Sequence, residues 1–281
     1  MAHLIKGNTV AETWLAAAKF LFGCPNGEAV NLFLEVKNPS VRNSSDVQLM
    51  RMVDTFLSVN DKQALETVAG TIFPADFYRA EGREGVFESY PTAMDELQQG
   101  RSEMRKGWGN YSLRLLRQRT HAGGTFNQLE AALGKLKNDN KRSCFEMNPG
   151  RVFESWEAPS NVAEASIYDP EADGNLHMNL PCLSHISFTR ENSDRSLHLN
   201  ATYRSHYYLE RALGNLIGLG WLLIFMAHES DHKVGSLAIN ATFAKIEWSG
   251  FGGKKKVEAL LDGCESNYLP KEQSENQLEE A

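Results

Sequence analysis

The run ALGNLIGLGWLLIFMA at residues 212–227 constrains the fold of this chain more than any other stretch. It is apolar on every side of a helix, so it has to be covered all round. A bilayer would cover it, but spanning one takes roughly 20 consecutive apolar residues. This run is shorter, and Asn215 interrupts it. The expectation is a core helix inside a globular domain, with no membrane partner. The chain has 281 residues, 42% of them hydrophobic and 23% charged, enough to build a large core without crosslinks. Its formal net charge of −7 argues against a nucleic-acid partner but leaves room for a small basic pocket that holds one phosphate.

Around that run, the patterning alternates between helix and strand. In residues 9–22, Val10, Trp14, Ala17, Ala18 and Leu21 share one helical face. Thr9 with Glu12 fits a capping box, and Cys24-Pro25-Asn26-Gly27 stops the helix. Residues 29–37 alternate apolar and polar and read as a strand ended by Asn38-Pro39. Residues 46–69 read as helix, and residues 71–93 as mixed and rich in aromatics. Residues 125–138 read as an amphipathic helix with Phe126, Leu129, Ala132 and Leu136 inward. The Pro-, Ser- and acid-rich stretch 149–179 reads as a surface excursion. Residues 183–188 and 195–203 read as two strands around the polar turn ENSDRS. A long helix over about 206–229, a strand over 235–247 and a turn at Gly250–Gly253 follow. No linker divides the chain, so one domain is expected over 1–268 with a disordered tail over 269–281. The four cysteines, Cys24, Cys144, Cys182 and Cys264, form no C-x-x-C pair, so no metal site is expected. The start MAHLIKGNTVAETW lacks a signal-peptide core. Free thiols and a cytoplasmic setting are the expectation.

The chemistry-bearing stretch is 180–229, LPCLSHISFTRENSDRSLHLNATYRSHYYLERALGNLIGLGWLLIFMAHE. It holds Pro181-Cys182 at a strand start, Phe188, Arg204-Ser205 after a hairpin, and Asn215, eleven positions beyond Arg204, on the long apolar helix. This ordered set resembles the thymidylate synthase and pyrimidine nucleotide hydroxymethylase superfamily. Upstream, Trp108-Gly109-Asn110-Tyr111 resembles that family's Tyr-Gly segment. The 125–138 helix followed by Lys141-Arg142 resembles its helix and tandem basic pair, with the register open by one residue. Asn38-Pro39 fits the archaeal-type pattern. The resemblance covers about residues 105–247.

The resemblance implies an α/β fold: a single thymidylate synthase-like domain with a bent mixed sheet, a long central helix and a sheet-on-sheet homodimer. It implies a pyrimidine nucleotide monophosphate as substrate and 5,10-methylenetetrahydrofolate as cofactor. Cys182 becomes the nucleophile, Arg204 and Ser205 phosphate ligands, and Asn215 the reader of the base edge, an amide suiting uracil. Lys141 or Arg142 would reach across the dimer to the partner's phosphate, and Arg42 would be a mobile phosphate arginine. The chemistry is coherent by itself. A pyrimidine C5 is a poor nucleophile until a thiolate adds at C6. Such a thiolate needs positive charge nearby, and arginine also suits phosphate. Plainer roles exist for each residue: Cys182 as core filler, Arg204 as a surface strand end, Asn215 as a structural cap.

The departures matter as much. Tyr207 stands where the family has an Asp that orders folate and water, and Phe243-Ala244-Lys245 where it has a His-x-Tyr that holds the sugar. Leu183 replaces the His after the catalytic Cys, and the C-terminal closing segment is not recognisable in SNYLPKEQSENQLEEA. For the family's early acid, Glu81, Glu84 and Glu88 are the candidates. These changes point to a specialised C5 transferase, carrying methyl or hydroxymethyl onto a uridine or cytidine nucleotide, rather than to housekeeping dTMP synthesis. The alternatives are another reaction through the same adduct, or a non-catalytic nucleotide-binding homodimer. A Cys–His hydrolase is disfavoured, because His185, three residues along a strand, faces away from Cys182.

Overall fold

The structure is a computed structural model, and it describes residues 2–99, 110–120, 123–137, 162–169, 173–174 and 180–268. Lys141, Arg142, the Trp108-Gly109 pair and the tail 269–281 lie outside the described residues.

The chain folds as mixed α/β around one mixed sheet. In chain order its elements begin with β1 (His3–Gly7), α1 (Val10–Gly23), β2 (Glu28–Val36), α2 (Ser44–Val59), α3 (Leu65–Gly70), α4 (Ala75–Glu84), α5 (Tyr90–Gln99) and α6 (Tyr111–Leu116). They continue with β3 (Gln118–Arg119), β4 (Thr125–Phe126), α7 (Gln128–Leu136), β5 (Val162–Ser166), β6 (Leu183–Arg190), β7 (Ser196–Tyr203), β8 (His206–Tyr207), α8 (Leu213–Glu229), β9 (Lys233–Lys245) and α9 (Lys254–Tyr268). The sheet order is β1-β2-β9-β7-β6-β5, with β8 joining β9. β1 runs parallel to β2, and β9 parallel to β7 and β8; the remaining pairs are antiparallel.

One face of the sheet carries Leu32, Leu34, Leu237, Ile239, Leu199, Ala201, Ile186 and Phe188, all buried. α8 packs on this face, and thirteen of its residues are buried, from Leu213 to Ala227. The segment Tyr208–Glu229 is long and apolar enough to cross a membrane, yet 78% of its most apolar window is buried inside the fold. The all-round apolarity of the 212–227 run is thus satisfied by sheet and helices. On the other face, Val30 is 53% exposed and Phe33 37% exposed.

Close approach of α8 to α3 rests on two glycines. A Cβ at Gly214 would lie 2.6 Å from the Val68 Cβ, and one at Gly218 would lie 2.6 Å from the Ala69 carbonyl oxygen. Gly218→Ala therefore sets a gain in helix propensity of about 1 kcal/mol against a backbone clash costing about 1–3 kcal/mol. The backbone cannot swing aside as a side chain can, so the clash wins. A fall in the thermal midpoint of up to about 8 °C, for a net cost of up to about 2 kcal/mol, is expected by circular dichroism.

Several sequence-based expectations need correction. Residues 46–69 form two helices, because Asn60 caps α2, Asp61 turns left-handed (φ +54°) and the Asp54 carboxylate accepts from the Leu65 N–H at 2.8 Å. The 125–138 helix starts only at Gln128, with Asn127 as its cap; Phe126 pairs in β4 and is exposed rather than inward. The 206–229 helix begins late, since His206 and Tyr207 pair with Ala244 and Lys245, and a π turn over Tyr208–Ala212 intervenes. The Glu247 carboxylate fixes that turn by accepting from the Tyr208 and Glu210 N–H groups at 3.1 and 2.9 Å, as a negative charge does at a helix start. The polar 149–179 stretch contains β5, an edge strand paired with β6.

Candidate functional site

Antiparallel pairing of β6 and β7 brings Cys182 and Arg204 together. Leu183 is opposite Tyr203, so the residues just outside that pair are neighbours, and the Arg204 N–H donates to the Cys182 carbonyl at 2.9 Å. The Arg204 guanidinium folds back over the segment before the cysteine. Its Nε donates to the Pro181 carbonyl at 3.3 Å and its Nη2 to the Leu180 carbonyl at 3.1 Å. The thiol is half-buried. Burial pushes it above the ordinary cysteine range, while the charge and hydrogen bond of Arg204, then the charge of Arg211, pull it down. The positive charge that a nucleophilic thiolate needs is present, but burial outweighs it in the free protein.

A cleft of about 300 Å³ opens in front of Cys182. Its wall brings together Cys182, Ser205, Tyr207 and Asn215 of the sequence-derived set, and adds Val68, Thr71, Asn110, Tyr111, Leu180, His206 and Arg211. Arg204 is not a wall residue; its guanidinium grips the segment before Cys182. Tyr111 comes from α6, which docks through the Ser112 N–H on the Thr71 carbonyl at 2.9 Å. Asn110 caps that helix, its side chain accepting from the Leu113 N–H at 2.9 Å. Tyr111 is hydrogen-bonded to the backbone at Leu183 and Cys182, and its hydroxyl is pushed up to about 12 by burial and by the neighbouring thiol.

Asn215, 4% exposed, faces His206 across 3.2 Å between its Nδ2 and the ring Nε2. The His206 ring stacks on Tyr203 at 4.2 Å and 11°, and meets Tyr208 edge-on at 5.4 Å. Burial lowers its pKa from 6.5 to about 3. Between those values the unfolded chain binds a proton that the folded chain refuses. The contribution is intact above pH 6.5 and is lost as pH falls towards 3, by up to about 1.4 kcal/mol per unit. Going from pH 7 to 5 should therefore cost the wild type about 2 kcal/mol more than a His206→Phe variant, read from urea midpoints.

Other sequence-derived residues lie away from the cleft wall. Arg42 sits over the Trp221 ring at 5.9 Å, sharing it with Arg79 at 5.8 Å. Phe243 pairs with Val30 on the sheet. The Lys245 Nζ donates to the Glu28 carboxylate at 2.7 Å. Glu81 accepts from the Ser89 hydroxyl at 2.5 Å, and neither it nor Glu84 nor Glu88 reaches the wall. Among the described residues, no carboxylate lines the cleft. His185 lies 3.5 Å from Glu164 and not in the cleft.

Sequence reasoning missed Tyr111, Arg211 and His206 as wall residues. Arg211 had a signal: it lies four residues before Asn215, the spacing that puts two residues on one helical face. No family model matches this chain, and no curated protein matches it at a significant level.

Proposed function

We propose that this chain is a pyrimidine nucleotide C5 transferase of the thymidylate synthase type, specialised away from housekeeping dTMP synthesis, and that it works as a homodimer. The observation that carries this reading is that one cleft gathers Cys182, Ser205 and Asn215, with Arg204 bonded to the backbone beside the thiol. In this reading the nucleotide phosphate meets Ser205 and a guanidinium, Arg204 or Arg211, at the cleft mouth. The base lies between Cys182 and Asn215. The thiolate adds its electron pair to C6, and the C5–C6 π electrons move onto O4, which Asn215 hydrogen-bonds. The enolate returns its electrons through C5 to a one-carbon electrophile. Loss of the C5 proton and expulsion of the Cys182 thiolate then restore the ring.

The folate that the resemblance implies does not fit the residues present. Tyr207 occupies the place of the family's folate-ordering Asp, and no described wall residue is a carboxylate. The one-carbon donor is therefore left open, and no step above depends on it. The sheet face that exposes Val30 and Phe33 is the surface we assign to a second copy.

A second reading, a nucleotide-binding homodimer without catalysis, is favoured by the raised Cys182 thiol and by a wall with no carboxylate among the described residues. Calorimetric titration with UMP, dUMP, CMP and dCMP tests what the two readings share. Saturable binding of at least one, at micromolar to millimolar concentration, is expected; no binding of any would remove both readings.

A further inference from the structure

We propose that His206 is a positioning residue that locks the Asn215 amide in one orientation, so that the cleft accepts the uracil edge and rejects cytosine. This rests on the pyrimidine-nucleotide reading above and specifies its base.

A free asparagine amide discriminates poorly between the two bases. Its Oδ1 accepts and its Nδ2 donates, and a half-turn exchanges them at little cost. Uracil offers an acceptor at O4 beside a donor at N3–H; cytosine offers a donor at N4 beside an acceptor at N3. An amide free to turn can satisfy either edge, so discrimination requires something that prevents the turn.

His206 has the geometry to do so. Its ring is held on two sides, stacked on Tyr203 at 4.2 Å and edge-on to Tyr208 at 5.4 Å, and is only 1% exposed. Burial keeps it neutral, so it carries one N–H and one lone pair. The Asn215 Nδ2 stands 3.2 Å from Nε2. A hydrogen bond at that contact requires Nδ2–H to donate and Nε2 to accept, which places the ring proton on Nδ1. Among the described residues Nδ1 has no hydrogen-bond partner. Turning the amide would set Oδ1 against the Nε2 lone pair.

One Nδ2 hydrogen is thus committed to His206. The other Nδ2 hydrogen and Oδ1 form the amide's remaining edge, a donor beside an acceptor. That edge complements O4 and N3–H of uracil. Against cytosine it sets donor on donor and acceptor on acceptor, and repairing the mismatch means breaking the His206 contact.

The test compares UMP with CMP, and dUMP with dCMP, by calorimetry on the wild type, His206→Phe and His206→Gln. Phenylalanine keeps the stacked ring and removes the acceptor; glutamine keeps an acceptor. The wild type is expected to prefer the uracil nucleotide by about 10–100-fold. That ratio should fall towards one in His206→Phe and recover in part in His206→Gln. An unchanged ratio in a folded His206→Phe variant, or a wild-type preference for cytosine, would overturn the proposal while leaving the pyrimidine reading intact. If the wild type binds none of the four nucleotides, the reading itself fails. Nitrogen-15 NMR of the wild type decides the matter should the variants not fold. Protonated Nδ1 with bare Nε2 is expected, and the opposite tautomer contradicts the lock.

Discussion

Cys182→Ser is expected to abolish turnover while leaving nucleotide affinity within a few-fold of wild type. A serine hydroxyl is almost fully protonated at neutral pH, and no described carboxylate lines the cleft to take its proton. The two charges that favour the thiolate, Arg204 and Arg211, cannot make an alkoxide accessible. Loss of a nucleophile of this kind costs on the order of 10⁴-fold or more in rate. Binding survives because Ser205, Asn215 and the arginines are untouched. Burial raises the wild-type thiol, so its alkylation by iodoacetamide should climb with pH through the alkaline range, and bound nucleotide should block it. Substantial turnover by the serine variant would move the nucleophile elsewhere.

Arg204→Ala is expected to weaken nucleotide binding by about 10–100-fold, the worth of one or two charge-assisted hydrogen bonds to phosphate. It should also act locally. The guanidinium holds the Leu180 and Pro181 carbonyls, so its removal loosens the segment that presents Cys182 and takes away the largest influence favouring the thiolate. Alkylation of Cys182 should then slow at any given pH. Arg204→Lys restores the charge but cannot fork to both carbonyls, and an intermediate affinity is expected. Calorimetry with the best-binding nucleotide checks all three proteins. Equal affinities would remove Arg204 from the phosphate site.

The parts of the fold readable from the sequence are those set by neighbours along the chain. Helix α1 is one: Thr9 accepts from the Glu12 N–H, although the Glu12 carboxylate returns to the Asn8 N–H rather than closing the box on Thr9, and Val10, Trp14, Ala17, Ala18 and Leu21 are buried as their spacing requires. The β6–β7 hairpin is another, since a polar turn between two alternating runs leaves little choice of partner, and that hairpin by itself places Arg204 beside Cys182. What escaped depends on distant partners. β8 exists because of Ala244 and Lys245, and the π turn after it because of Glu247. β5 is a strand only because β6 borders it. The cleft divides the same way. The resemblance names Ser205 and Asn215, whereas Tyr111 reaches Cys182 only through the docking of α6 on Thr71. His206 offered no local sign that it would face Asn215. The resemblance makes Arg42 a mobile phosphate arginine, and the structure puts it over the Trp221 ring.

The central claim is that Cys182 adds to C6 of a pyrimidine nucleotide. Exchange at C5 reports that addition without a one-carbon donor: once the thiolate has added, C5 takes a proton from water, and its original hydrogen leaves when the thiolate is expelled. The measurement is release of tritium into water from 5-tritiated UMP, dUMP, CMP and dCMP incubated with the wild-type protein and with Cys182→Ser. Release from at least one nucleotide, uracil-based and absent with the serine variant, is the expected result. No release above the protein-free rate from any of the four would contradict the account.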